Sequence, residues 1–197
     1  MSLRKDIGAI AIQGDIYVRN NSFLTLDLGG QIAKTSNVLL QDSCFNFFNY
    51  GFRNIPNSQH LNRMTIEGNS VINFAHYNYH QALLLDNLLI DEGALLSITN
   101  WRDGFHFLLV RKDSWSLEDA LGKIRFEGKY GSAGVRSYDW EYWEIGVGYG
   151  FSKLPEPSTY GAIFGGLGVL LALSRKRRCI WRNSAHSRQK RKDYRDD

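Results

Sequence analysis

His76-Tyr77-Asn78-Tyr79-His80 holds two imidazoles four residues apart, the spacing with which one helix face grips zinc. The pair lies between two strand-like segments, lacks a glutamate beside the first histidine and shows no third ligand, so it reads as a surface loop and no metal site is expected. His60 and His106 stand without legible partners. Carboxylates recur at comparable turn positions as Asp42, Glu67 and Asp91, with Asp86 and Asp103 outside the turns. Stacked on one face with a Lys or Arg, such acids could act on polysaccharide, but corner carboxylates are ordinarily solvated turn formers. Cys44, in the alternation Ser43-Cys44-Phe45-Asn46-Phe47, reads as a small buried hydrophobe without a partner base. Gly146-x-Gly148-x-Gly150 has neither the strand-to-helix setting nor the downstream acid of a dinucleotide site, and reads as a flexible joint. No cofactor is implied, and the expectation is a protein that is not an enzyme.

The residues with the most specific order lie near the C-terminus. Pro155, Glu156 and Pro157 precede an uncharged run from Ser158 to Ser174, which ends in the cations Arg175, Lys176, Arg177 and Arg178. The apolar part comprises Tyr160, Gly161, Ala162, Ile163, Phe164, Gly165 and Gly166, then Leu167, Gly168, Val169, Leu170, Leu171, Ala172 and Leu173. As a helix it reaches about 21 Å, short of the ~30 Å of hydrocarbon, so a span needs snorkelling cations and local thinning of the bilayer. Its four glycines suit a membrane helix better than a buried aqueous one, where each costs about 1 kcal/mol relative to alanine. Prolines before the run and cations after it are boundary signals, and the positive-inside rule puts the tail in the cytoplasm and the body outside.

These residues resemble a known family. Pro155-Glu156-Pro157-Ser158-Thr159-Tyr160-Gly161, a short apolar helix and Arg175-Lys176-Arg177-Arg178 look like the PEP-CTERM sorting signal of Gram-negative bacteria. The resemblance implies a substrate of an exosortase-type membrane transpeptidase, with Pro155, Glu156 and Pro157 as the recognition residues. It also implies a precursor in the inner membrane, cut near the triplet and passed to the cell surface or extracellular space, where extracellular polysaccharide is a partner it could meet. A permanently anchored single-span protein is the alternative with the same topology. The chain departs from the family by continuing through Cys179 to Asp197, a charged tail expected to be disordered and read here as read-through. Its front lacks an apolar secretion segment, which leads to the expectation of a start further upstream.

Charge agrees with this division. Ten of the 24 Lys/Arg and three of the 20 Asp/Glu fall in Arg175–Asp197, leaving 14 cations against 17 acids in the rest of the 197 residues. A mildly acidic body argues against nucleic acid as its partner.

The body must supply the elements that position any site. Segments beginning at Ile16, Val38, Met64 and Leu88, spaced 22, 26 and 24 residues apart, share a strand, a polar corner and a second strand. Alternation at period two, as in Met64/Ile66 and Ile72/Phe74, gives each segment one apolar face that it cannot bury alone. Stacking of such units predicts a right-handed parallel β-helix, with a β-sandwich as the alternative. Gly68-Asn69-Ser70-Val71-Ile72-Asn73-Phe74 and Ile98-Thr99-Asn100-Trp101 also resemble autotransporter passenger-type β-helices. The expected organisation is 1–100 β-helical repeats, 101–151 an aromatic-rich cap with a short helix starting at Ser116, 152–178 the sorting signal, and 179–197 the tail.

Overall fold

An extended segment offers side chains alternately to two faces and hydrogen bonds along two edges. The computed structural model of the chain describes residues 1–6, 9–48, 57–74, 80–148 and 150–154, and in it those edges are used between successive turns of a coil. One sheet orders β1 (Ser2–Leu3), β3 (Phe23–Leu26), β5 (Cys44–Phe47), β7 (Asn69–Phe74), β9 (Leu95–Thr99) and β11 (Ile124–Phe126), all parallel. The second orders β2 (Ile16–Arg19), β4 (Asn37–Gln41), β6 (Asn57–Glu67), β8 (Gln81–Ile90) and β10 (His106–Arg111), again in parallel. The chain alternates between the two sheets, so each strand pairs with the strand two elements on. This is an all-β solenoid with parallel sheets, not an antiparallel sandwich.

The register matches the repeat. Ile16 pairs with Val38, Val38 with Met64 and Met64 with Leu88, so the segment starts stack on one another despite their unequal spacing. Leu24, Phe45, Ile72, Ile98 and Phe126 likewise form one buried column through the first sheet. Aromatic rings continue between the columns: Phe47 to Phe74 at 6.0 Å, Phe74 to Trp101 at 5.4 Å and Trp101 to Phe126 at 5.0 Å between centroids. These separations suit tilted and edge-on ring pairs.

The corners need backbone that ordinary residues avoid. Asn20, Asn21 and Asp42 have φ of 58°, 58° and 47°, and Gly68 has 64°. Asp42 Oδ1 accepts the Asn69 N–H of the next turn at 2.9 Å, and a Cβ on Gly68 would lie 2.2 Å from that oxygen. Gly68→Ala is therefore expected to cost about 1–2 kcal/mol for the left-handed backbone and about 1 kcal/mol for the displaced hydrogen bond. A urea midpoint lowered at unchanged slope is the expected readout, and an unchanged midpoint would refute this account of the corner.

Not every inward position is apolar. Gln31, Gln59 and Gln81 are fully buried, and Gln59 both accepts the Ile32 N–H at 3.1 Å and donates to the Ile32 carbonyl at 2.7 Å. Gln81 donates to the Phe47 carbonyl at 3.2 Å. One amide per turn thus reaches back to backbone of the preceding turn, Gln81 through its N–H alone.

Parallel pairing continues past Asn100 through β10 and β11, and the second sheet then ends in β13 (Tyr142–Gly146) and β12 (Gly134–Ser137), both antiparallel. Val135 and Ile145 of this hairpin join the core with Leu121 of the short helix α1 (Leu117–Leu121). The aromatic residues here divide. Trp101 is interior, whereas Trp115 and Trp140 are 73% and 86% exposed. Ser116 does not cap α1 with its side chain; its Oγ donates to the Leu88 carbonyl at 2.7 Å. Gly146 belongs to β13, where a Cβ would collide with the Phe151 ring, and Ser152 bridges to Val135, so this stretch is tied to the sheet instead of forming a loose joint. The compact unit runs from Met1 to Leu154. Among the described residues no helix is long and apolar enough to cross a membrane.

Candidate functional site

Pro155, Glu156, Pro157, the run Tyr160 to Leu173 and the cluster Arg175 to Arg178 all lie outside the described residues, as does His76. His80 stacks on Phe105 and Phe107, with centroids 5.1 and 6.3 Å away. Among the described residues no group of three or more His, Cys, Asp or Glu could hold a metal ion. Asp42 and Asp103 have visible structural work. Asp42 holds its corner, and Asp103 accepts from Trp101 Nε1 at 2.7 Å and from Lys129 at 3.2 Å.

Cys44 is half-buried on the outward face of β5 and not in the core, because Phe45 and Phe47 occupy the inward positions. Burial pushes its thiol up to about 11, and Sγ lies 3.2 Å from Asn46 Oδ1. A thiol that stays protonated at neutral pH is a poor nucleophile. Beside it a polar ladder runs between turns, Asn46 to Thr25 at 3.3 Å and Asn73 to Asn46 at 3.0 Å.

Both histidines without legible partners have them. Buried His106 accepts the Arg102 N–H on Nδ1 at 3.0 Å and stacks on Phe74, a core role. His60 Nε2 lies 2.9 Å from Asp86 Oδ1, and Arg111 Nη1 is 4.0 Å from the same oxygen. The three come from β6, β8 and β10, neighbours in the second sheet. Tyr142 sets its ring edge-on to His60 at 6.4 Å, and its phenol is pushed up first by burial and then by Glu141 and Asp86. Among the described hydrogen bonds the side-chain partner of His60 is Asp86, which orients the imidazole.

The outward face of β2, β4, β6 and β8 presents a different arrangement. Tyr17, Leu39, Thr65 and Leu89 form one column, each the register partner of the next. Polar columns flank it, with Asn37 and Arg63 on one side and Gln41 and Glu67 on the other. Asp15 accepts the backbone and side-chain N–H groups of Asn37 at 2.9 and 3.0 Å, which hold its carboxyl below the usual range. A cavity of about 180 Å³ sits over Tyr17, Leu39, Thr65 and Arg63. A larger one, about 620 Å³, opens beside Leu89 between the corner Asp91-Glu92 and the Trp115, Asp119 and Lys123 side chains. Lys123 is fixed there by the Ile90 carbonyl at 2.9 Å and Asp119 at 2.6 Å. Asp91 alone of the three corner acids thus lines a cavity among those described.

The chain has no match among protein-family models, characterised proteins or solved structures.

Proposed function

We propose that this protein is exported and sorted to the cell surface or extracellular matrix by an exosortase-type transpeptidase that recognises Pro155-Glu156-Pro157, and that its body serves a structural or adhesive role. The observation that carries the reading is the order of triplet, apolar run and cation block over Pro155–Arg178. Support also comes from the position of the compact unit, which ends at Leu154, immediately before the triplet. The precursor would span the inner membrane through Tyr160–Leu173, with Arg175–Arg178 in the cytoplasm. The coil of the body is right-handed in this reading, because crossovers between parallel strands of one sheet take that hand in about 98% of cases. The same shape is what a passenger-type β-helix presents at a surface.

The test is expression behind a supplied N-terminal secretion signal in a bacterium that carries an exosortase, followed by fractionation and intact-mass measurement. The parent chain is expected outside the inner membrane, shortened at its C-terminus near Pro157. Replacing Pro155, Glu156 and Pro157 by alanine should leave a full-length product in the inner membrane. A parent chain that stays uncut in the membrane would favour a permanent anchor, and one found in the cytosol would end both readings.

A further inference from the structure

We infer that the outward face of β2, β4, β6 and β8 is a binding groove for an extended, uncharged oligosaccharide lying along the axis of the coil, with Tyr17 and Trp115 as its stacking platforms. This deepens the adhesive part of the function proposed above and does not depend on the sorting signal.

The first ground is geometry. Thr65 lines the smaller cavity and Leu89 the larger, and the two residues are register partners, so the cavities adjoin on one sheet face. Three strand steps separate Tyr17 from Leu89, about 14 Å at the usual inter-strand spacing, and Trp115 flanks Leu89 beyond that. Each step is close to the rise of one pyranose in an extended β-1,4-linked chain. A ligand along this face therefore meets one register position of the sheet at each sugar, filled in turn by Tyr17, Leu39, Thr65 and Leu89.

The second ground is chemistry. Between β2 and β8 the strand N–H and C=O groups pair with one another, so an occupant lying across this face is read by side chains, and strand addition is left to the outer edge of β2, where the sheet ends. The groove carries both donors and acceptors: Gln41 and Arg63 can donate, Asp15 and Asp91 accept, and Asn37 and Lys123 are held by Asp15 and by Ile90 and Asp119. Hydroxyl groups, which both donate and accept, suit such a lining. Tyr17 and Trp115 are 64% and 73% exposed, an unfavourable placing for large rings unless something covers them; the Arg19 guanidinium lies 5.4 Å over the Tyr17 ring, which leaves its other face for a ligand. The C–H faces of sugars cover such rings.

Charge selects among polymers. Five acids, Asp15, Glu67, Asp91, Glu92 and Asp119, outnumber Arg19, Arg63 and Lys123 on this face. That balance disfavours nucleic acid and polyuronates, whose binding needs a cationic surface. A neutral chain meets no such penalty.

The test uses the full chain in mild detergent, titrated calorimetrically with cellohexaose and laminarihexaose as neutral probes and with oligogalacturonate as the anionic one. Binding of at least one neutral hexaose, insensitive to added salt, is expected. Trp115→Ala and Tyr17→Ala should each weaken it about tenfold, whereas Trp140→Ala, which removes an equally exposed ring lining neither cavity, should leave it unchanged. Trp115→Phe keeps a platform and should retain most of the affinity, which guards against loss through misfolding. The inference is overturned if neither neutral hexaose binds, if the anionic probe is preferred, or if Trp115→Ala binds like the parent. Failure here leaves export and C-terminal shortening untouched, and a chain that binds sugar but is never shortened fails the other way.

Discussion

Phe74→Ala is expected to remove about 4 kcal/mol of folding stability, a large share of the ~5–15 kcal/mol a domain possesses. Phe74 is fully buried at the end of β7 and is the ring through which two turns communicate. It meets Phe47 of the preceding turn at 6.0 Å, Trp101 of the following one at 5.4 Å, and His106 in a stack at 5.1 Å. Truncation would leave a void that cannot readily collapse, because β7 is held by parallel ladders to β5 on one side and β9 on the other. Loss of the ring pairs adds about 1 kcal/mol beyond the buried area. Phe74→Leu keeps most of the volume and should cost about 1–2 kcal/mol. Phe23→Ala, on the outward face of β3 and 58% exposed, should stay within about 0.5 kcal/mol of the parent. Guanidinium unfolding monitored by tryptophan fluorescence and circular dichroism would separate the three. Equal midpoints for Phe74→Ala and Phe23→Ala would show that the interior is not the one described.

What made the coil legible is that a parallel stack reuses the same position in each turn. Ile16, Val38, Met64 and Leu88 align because each begins the alternating stretch that leads into an Asn, Asp or Gly corner, and register pairs those same residues, although β6 and β8 start seven residues before Met64 and Leu88. Cys44 was open to the same logic: if Phe45 and Phe47 point inward, parity sends Cys44 outward with Asn46. The inward glutamines were not legible. Gln59 sits where an apolar residue would be expected, and its reason is the Ile32 N–H and carbonyl 27 residues earlier, exposed by a loop whose path alternation does not encode. Asp86 is invisible as a partner of His60 until the 24-residue register of β6 on β8 is known. It then falls two positions beyond Leu84, the register partner of His60. The groove was hidden for a similar reason. Tyr17, Leu39, Thr65 and Leu89 are unremarkable one at a time and become a column only when the turns are superposed. Aromatic richness after Trp101 indicated a change of architecture without dividing the interior ring from the exposed ones.

The closing hairpin supplies the second large effect. Arg136→Met is expected to cost about 3 kcal/mol although it replaces a surface cation by an apolar side chain of similar length. Arg136 on β12 lies opposite Glu144 on β13, and its Nε and Nη2 donate to the two carboxylate oxygens at 2.8 and 2.7 Å. The Glu144 side chain is only 4% exposed, while that of Arg136 is 40% exposed and rests on the Phe151 ring. Removing the cation leaves a carboxylate that is covered on the outward face of β13, beside the core residue Ile145, without its countercharge; breaking a buried pair usually costs about 3–5 kcal/mol, and solvent around the arginine end places this pair at the low end. Arg136→Lys should restore little, since an ammonium cannot reproduce the two parallel hydrogen bonds. The decisive variant changes both residues: Arg136→Met with Glu144→Leu removes the buried charge along with its partner and should return to within about 1 kcal/mol of the parent. A double-mutant cycle on urea midpoints reads the coupling directly. If the two single losses simply add, the fork between β12 and β13 contributes nothing of its own and the hairpin is held by Val135 and Ile145 alone.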